Sequence, residues 1–176
     1  MNADLRYPIG RFDISAPVTP ASRAEHIEAI GALPAALRAA VAGLSDAQLD
    51  TPYRPEGWTV RQLVHHVADS HVNAVTRIRL ALTEDTPTIK PYLEKAWANL
   101  ADSRTQPIEP SLQILDGTHA RWVALARAIT APEFARTVVH PEHGRTMSVD
   151  TLCGLYAWHG RHHVAHITAL RQREGW

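Results

Sequence analysis

Apolar residues recur at three- and four-residue intervals along four long stretches of the chain, and clusters of proline separate these stretches. This period is typical of amphipathic helices that bury one face. We predict a first helix over about residues 20–43, a second that begins at Thr59, a third over about residues 111–129, and a fourth from just after Ser148 to about Arg173. Four long amphipathic helices predict an all-α four-helix bundle, a fold that can build metal sites in its core.

Capping signals mark the starts of two of these helices. Thr59 and Gln62 have the spacing of a capping box, in which each side chain bonds to a backbone N–H near the other. Thr19 can cap the first helix, although a start at Ser22 also fits the sequence. Pro34 lies inside that first helix, where proline costs about 3 kcal/mol, so we expect a kink there.

The segments between the long helices contain two further patterns. Residues 91–100 favour a short extra helix in the long connection that follows the second helix. Residues 134–149, with Pro141 to Gly144 in their middle, are compatible with a small β-hairpin. No internal repeat or low-complexity tract is present, and we expect residues 1–176 to form a single domain.

Composition indicates an ordinary globular protein. The chain has 18 Lys and Arg, 18 Asp and Glu, 45% apolar residues and a formal net charge of zero. No basic stripe favours nucleic acid, and no apolar stretch approaches the ~20 residues of a membrane span. The single cysteine, Cys153, excludes an internal disulfide and suits the reducing cytoplasm, where we expect the protein to be found.

Histidine is concentrated in two clusters, and the later cluster lies in the fourth predicted helix. His159 and His163 are four residues apart, which stacks their imidazoles on one helix face, and that face is the apolar one. Buried imidazoles need partners for their nitrogens, and one shared metal ion can supply them. The alternative is two core histidines that bond to the backbone or to each other. His166 lies on the same face and is a candidate ligand, although a role as a hydrogen-bond donor to the ligands is favoured. His162 flanks the apolar stripe.

The earlier histidine cluster, residues 65–71, lies in the second predicted helix and can supply a third ligand. His65 points away from the apolar stripe and is expected to face solvent, and His71 lies within the stripe as a core residue. His66 is instead the first of a row of polar residues at three- and four-residue spacing beside the apolar face, which we call the polar lane. This arrangement suits either a plain helix surface or the wall of a solvated cavity. Asp69 is a candidate to orient His66. The other members of the lane are candidate pocket residues: Ser70, Asn73 and Arg77.

The remaining histidines and motifs narrow the chemistry. His119 lies on the buried face of the third predicted helix and is a candidate to border the pocket. His140 and His143 flank the turn of the predicted hairpin. The sequence has no H-E-x-x-H, nucleophile elbow, phosphate-binding glycine loop or CxxC motif. It also lacks the paired Glu and Glu-x-x-His motifs of di-iron bundles. A single metal ion on neutral histidines is the remaining hypothesis.

Several segments of the chain resemble the YfiT group of the DinB-like superfamily. The similarity extends over essentially the whole chain and includes long, specific motifs. The segments that carry it are residues 7–10 (YPIG), 49–54 (LDTPYR), 57–62 (GWTVRQ), 65–71 (HHVADSH), 80–87 (LALTEDTP) and 156–166 (YAWHGRHHVAH).

This resemblance implies a four-helix bundle that holds one divalent metal ion per chain, nickel or zinc, on three histidines. In the family these are the second histidine of the pair on the second helix and the pair four residues apart on the last helix, which correspond here to His66, His159 and His163. The resemblance further implies a cytoplasmic homodimer and a metal-dependent hydrolase. Relatives in the wider superfamily are thiol S-transferases that use bacillithiol, mycothiol or glutathione.

Three functions are compatible with such a site. Three protein ligands leave coordination positions open, which is typical of catalytic sites. A hydrolase would use the metal to lower the pKa of water, whereas an S-transferase would hold a low-molecular-weight thiol as thiolate and transfer it to an electrophile. The lack of an obvious Glu general base favours the transferase, and the resemblance favours the hydrolase. A metal-binding stress protein without turnover is the third alternative. For either enzyme we expect a small-molecule substrate, with an anionic group that Arg77 could bind.

Overall fold

The computed structural model describes residues 4–142 and 144–176, which are mainly helical. The helices, in chain order, are α1 (Pro20–Val41), α2 (Asp46–Leu49), α3 (Val60–Thr83), α4 (Glu94–Trp97), α5 (Ala101–Thr105), α6 (Glu109–Ala128), α7 (Ala131–Phe134) and α8 (Val149–Glu174). Two strands, β1 (Thr137–His140) and β2 (Arg145–Ser148), lie between α7 and α8. The four long helices, α1, α3, α6 and α8, confirm the predicted bundle.

Side-chain caps mark where α1, α3 and α8 begin. Thr59 Oγ1 accepts from the N–H of Gln62 at 3.2 Å, and Gln62 Oε1 accepts from the N–H of Thr59 at 3.0 Å, which confirms the capping box of α3. Thr19 caps α1 by accepting from the N–H of Ser22 at 3.1 Å. α1 continues through Pro34, so the proline does not end the helix.

The long helices pack in an order that differs from their order in the chain. α1 packs against α6 and α8, and α3 packs against the same two helices. α1 and α3 therefore lie on opposite sides of the bundle, as do α6 and α8. As a consequence, α3 and α8, which carry the two histidine clusters, lie side by side.

The core consists of two apolar clusters with buried histidines between them. The first cluster includes Ile30, Ile78, Trp122 and Leu152, and the second includes Leu37, Leu63, Leu115 and Ile167. Along α3, α6 and α8 the two clusters are separated by buried histidines, which include His71, His119 and His163. The bundle therefore has a polar layer between two apolar layers, and this layer is where the candidate site lies.

Short elements pack against the long helices, chiefly α3 and α8. β1 and β2 form the predicted antiparallel hairpin, in which Thr137 pairs with Ser148 and His140 with Arg145. The extra helix expected over residues 91–100 is α4, which is shorter than expected and is followed by a separate helix, α5. His143, at the hairpin turn, lies outside the described residues. Within residues 4–142 and 144–176, no helix combines the length and the apolar character needed to cross a membrane.

Candidate metal centre

Three histidines from two neighbouring helices converge on one point. His66 comes from α3, and His159 and His163 come from consecutive turns of α8. His159 Nε2 lies 3.1 Å from His163 Nε2 and 3.4 Å from His66 Nε2. One nitrogen from each ring lies within 4.8 Å of the other two. We call these residues the three-histidine cluster.

Burial keeps the three-histidine cluster neutral. Loss of solvent lowers the pKa of His66 to about 4. The pKa values of His159 and His163 also lie well below the ordinary histidine value, first because of burial and then because of neighbouring histidines. Each ring therefore carries a free lone pair at neutral pH, which is the form that binds metal ions. The indole of Trp58, whose ring centre lies 4.7 Å from that of His66, covers one side of the cluster.

The spacing of the nitrogens suits a divalent metal ion. Zinc–nitrogen bonds of about 2.0–2.1 Å in a tetrahedral arrangement place two ligand nitrogens about 3.3 Å apart. The observed separations from His159 Nε2, 3.1 and 3.4 Å, lie on either side of that value. His159 Nε2 can share a proton with only one neighbour at a time, whereas one cation can accept all three lone pairs. The residues of the cluster therefore fit a metal ion.

His159 is held from its other side by His71, a residue that its helical position predicts to lie in the core. His71 Nε2 lies 3.1 Å from His159 Nδ1, and His71 Nδ1 lies 3.0 Å from His119 Nε2. His119 Nδ1 donates to the carbonyl oxygen of Ile30 at 2.6 Å. Both rings are buried, as expected, with exposures of 0% for His71 and 1% for His119. Helical periodicity predicts that each ring is inside, but it does not reveal that two core histidines on different helices meet behind a third.

Three other histidines have partners outside the three-histidine cluster. His65 was expected to face solvent, but it is buried, and its Nδ1 lies 2.7 Å from Ser111 Oγ, because the start of α6 covers this side of α3. His162 and His166 contact each other, with their Nε2 atoms 3.0 Å apart. His166 was expected to donate to the ligands, but its described partner is His162, because the same four-residue spacing that pairs the α8 members of the cluster pairs these two.

Asp69 and Asn73 have partners that the sequence did not indicate. In the described part of the chain no hydrogen bond joins Asp69 to His66, the ring it was expected to orient. Burial and the nearby carboxylate of Asp102 on α5 raise the pKa of Asp69 to about 6. Asn73 turns back onto α3 and donates from Nδ2 to the backbone oxygen of Asp69 at 2.9 Å. α5 was not predicted, so its effect on Asp69 could not be anticipated.

A cavity of about 600 Å³ opens beside the three-histidine cluster, and His159 lies in its wall. Ser70 and Arg77 also line this cavity, in agreement with the predicted polar lane. Three further polar residues of its wall come from the connections, namely Glu94, His140 and Arg145. Its apolar wall includes Ile14, Met147, Leu152 and Leu155. Glu94 and Arg145 were missed because their positions depend on how a long connection and a hairpin fold over the bundle.

Arg77 is fixed at the cavity by one contact to α8 and one to the connection between α3 and α4. Its Nη1 donates to the hydroxyl of Tyr156 at 3.0 Å, and its Nη2 reaches the carbonyl oxygen of Lys90 at 3.5 Å. The Tyr156 ring lies 5.6 Å from the His159 ring, centre to centre. Glu94 is exposed overall, but the cavity wall removes part of its solvent and so raises its pKa, and the charge of Arg77 opposes this effect. The cavity thus combines a cation, a carboxyl group and a histidine of the cluster.

Comparison with known proteins identifies the family. A family model described as the DinB superfamily matches residues 29–167 of the chain. The chain belongs to the DinB superfamily. The matched region contains α3, the start of α8 and all three members of the three-histidine cluster, so the family resemblance found in the sequence is confirmed.

Relatives of this DinB-superfamily chain carry names that refer to a metal. A "Putative metal-dependent hydrolase" from Geobacillus thermodenitrificans (strain NG80-2) is 51% identical over 172 residues, which cover 98% of this chain and 97% of the relative. A protein of the same description from Bacillus cereus (strain B4264) is 52% identical over 173 residues, which cover 98% and 99% of the two chains. The solved structure of YfiT from Bacillus subtilis, described as "a probable metal-dependent hydrolase with an unusual four-helix bundle topology", is 46% identical, with a TM-score of 0.96 and 99% of both chains covered.

Proposed function

We propose that this DinB-superfamily protein is a metal-dependent hydrolase of small anionic substrates, with one zinc or nickel ion held by His66, His159 and His163. The observation that carries the proposal is the convergence of three neutral imidazoles beside a cavity that shares His159 with them. When bound, a divalent ion on three protein ligands supplies Lewis acidity and lowers the pKa of water. The names of the relatives support the same class of reaction.

Two arginines of the cavity suit an anionic group on the substrate. Arg77 is held in place by Tyr156, so its guanidinium is already oriented when a substrate enters. Arg145 contributes a second positive charge from β2. A guanidinium recognises a carboxylate or phosphate through two parallel hydrogen bonds. We infer that Arg77 binds and orients such a group while the scissile bond lies toward His159.

The apolar wall of the cavity suits a substrate with a hydrocarbon portion. Met147, Leu152 and Leu155 form this wall together with Ile14 from the segment before α1. A volume of about 600 Å³ lies within the range of small-molecule sites, about 300–1,000 Å³. The substrate class that fits is therefore a small ester, amide or lactone with one anionic end.

Glu94 is the cavity residue best suited to move a proton in this reaction. A carboxyl group with a raised pKa can accept a proton from an attacking water and return it to the leaving group. Glu94 has such a raised pKa, chiefly because the cavity wall removes part of its solvent, and it faces the same cavity as His159. Glu94 supplies the carboxyl group whose apparent absence from the sequence had favoured the S-transferase.

The experiment that tests the proposal is a substrate panel run on the zinc-loaded and nickel-loaded protein. The panel contains carboxylate-bearing esters, amides and lactones, and a second arm contains thiols with an epoxide or halide electrophile. Hydrolysis that disappears in the His163→Gln variant supports the proposal. Thiol conjugation without hydrolysis would contradict it in favour of the S-transferase, and inactivity in both arms would favour a non-catalytic metal-binding protein.

A further inference from the structure

Pro34 leaves one backbone carbonyl of α1 without its usual helical donor. In an α-helix the carbonyl of residue 30 accepts from the N–H of residue 34, and proline has no N–H. The freed carbonyl of Ile30 points into the bundle, where it accepts from His119 Nδ1 at 2.6 Å. The proline that conflicts with helix propensity thus creates a buried acceptor for a histidine of α6.

The acceptor at Ile30 begins a line of three imidazoles that ends in the three-histidine cluster. His119 Nε2 lies 3.0 Å from His71 Nδ1, and His71 Nε2 lies 3.1 Å from His159 Nδ1. The ring planes of His71 and His119 differ by only 23°, and the ring centres are 4.9 Å apart. The line crosses the bundle from α1 through α6 and α3 to α8, within the polar layer between the two apolar clusters.

Hydrogen-bond chemistry fixes the direction of every bond in this line. A neutral imidazole has one N–H donor and one acceptor nitrogen. A carbonyl oxygen can only accept, so His119 carries its hydrogen on Nδ1 and its Nε2 is an acceptor. His71 must then donate from Nδ1, which makes its Nε2 an acceptor for the Nδ1 hydrogen of His159. His159 therefore has a bare Nε2, and this is the nitrogen that faces His66 and His163.

We propose that His71 and His119 are positioning residues that lock His159 in the tautomer with a free Nε2 lone pair, and that the carbonyl freed by Pro34 sets the direction of this relay. The inference rests on the proposed metal site. It explains why the Nε2 lone pair of His159 is already free in the metal-free protein. Each of these two buried histidines passes the same hydrogen-bond orientation to the next ring. Partners of this kind, which hold a ligand histidine by its second nitrogen, typically affect metal affinity by about 10- to 100-fold.

The tautomers can be measured directly in the metal-free protein by long-range ¹H–¹⁵N NMR of the histidine rings. We expect hydrogen on Nδ1 and a bare Nε2 in His119, His71 and His159. An Nε2–H tautomer of His159 in the wild-type protein would overturn the proposal. This measurement uses neither metal nor substrate, so it distinguishes failure of the relay from failure of the proposed hydrolase.

Substitution of His71 tests the effect of the relay on metal binding. His71→Leu removes the bond to His159 Nδ1, whereas His71→Gln keeps a donor and an acceptor in one side-chain amide. Competition of Zn²⁺ against a chromophoric chelator should show an affinity about 10- to 100-fold weaker for His71→Leu, with most of the loss recovered in His71→Gln. Equal Zn²⁺ affinity and an unchanged His159 tautomer in a folded His71→Leu protein would contradict the relay. If His71→Leu does not fold, the wild-type NMR measurement decides the question alone.

Discussion

Gly160 on α8 lies so close to Leu33 on α1 that a β-carbon at position 160 would lie 2.6 Å from Leu33 Cδ2 and 2.9 Å from Cδ1. Leu33 is itself buried in the second apolar cluster, so a β-carbon at position 160 would force its side chain out of its packed position. The contact sets the distance between α1 and α8 directly beside His159. The close approach of these helices is therefore part of how the three-histidine cluster is positioned.

We expect Gly160→Ala to destabilise the protein by about 1 kcal/mol. The overlap with Leu33 costs about 1–3 kcal/mol, and the better helix propensity of alanine offsets up to about 1 kcal/mol of this. Urea denaturation measures the change in the free energy of unfolding. Gly117→Ala on α6 is the matched control, because nothing lies within 4 Å of a β-carbon there, and it should be neutral or stabilising. Equal effects of the two substitutions would contradict the close contact.

We expect the metal-free protein to lose stability as the pH falls from about 6.5 toward 4. The folded pKa values of His66 and His162 are lowered to about 4, and that of His166 to about 3, chiefly by burial, whereas the unfolded value is 6.5. Between these values the unfolded chain binds more protons than the folded chain, so acid favours unfolding. The urea midpoint of the apo protein at pH 7.5, 6.0 and 5.0 measures this dependence.

Protonation of Asp69 opposes this loss of stability in acid, so Asp69 provides an internal control. Its folded pKa of about 6 lies above the unfolded value of 3.8, so the folded state binds the extra proton, and the stability contributed by this group falls as the pH rises through that range. The Asp69→Asn variant should therefore lose more stability than wild type between pH 6.0 and 5.0. A urea midpoint that is constant from pH 7.5 to 5.0 in both proteins would show that the histidines are not held neutral by burial.

We expect Arg77→Gln to raise KM for a carboxylate-bearing substrate by roughly 10- to 100-fold, because a charge-assisted hydrogen bond contributes about 1.5–3 kcal/mol. The KM for a neutral analogue of the same size should change little. Arg79→Gln is the control, since Arg79 is an exposed arginine on the same helix that does not line the cavity beside His159. A parallel loss for the charged and neutral substrates would mean that Arg77 acts through structure and not through the anion.

The helices could be predicted because their signals are local. The capping pair at Thr59 and Gln62 and the apolar periodicity of the later helices lie within single segments, and both are found in the structure. The order of packing could not be predicted, because it depends on contacts between segments far apart in the chain. His65 shows the consequence, since its exposure was judged from α3 alone, whereas the start of α6 covers it.

The part of the candidate site that lies on the long helices could also be predicted from local signals. Spacing within α8 and the polar lane of α3 led to the histidines that the structure brings together. Contributions from the connections were not predictable, and Glu94 and Arg145 enter the cavity only because a loop and a hairpin close over the bundle. Pro34 was expected only as a helix defect, whereas its effect on the Ile30 carbonyl becomes visible once His119 is seen to lie beneath it.

The most direct test of the central claim is the zinc content of two matched pairs of variants after loading and dialysis, measured by elemental analysis with circular dichroism to confirm folding. Within each pair the same substitution is made at adjacent histidines: His65→Gln with His66→Gln, and His162→Gln with His163→Gln. We predict one zinc ion per chain in wild type, His65→Gln and His162→Gln, and loss of zinc in His66→Gln and His163→Gln. Full zinc content in folded His66→Gln and His163→Gln proteins, or equal loss within each pair, would contradict the three-histidine metal site.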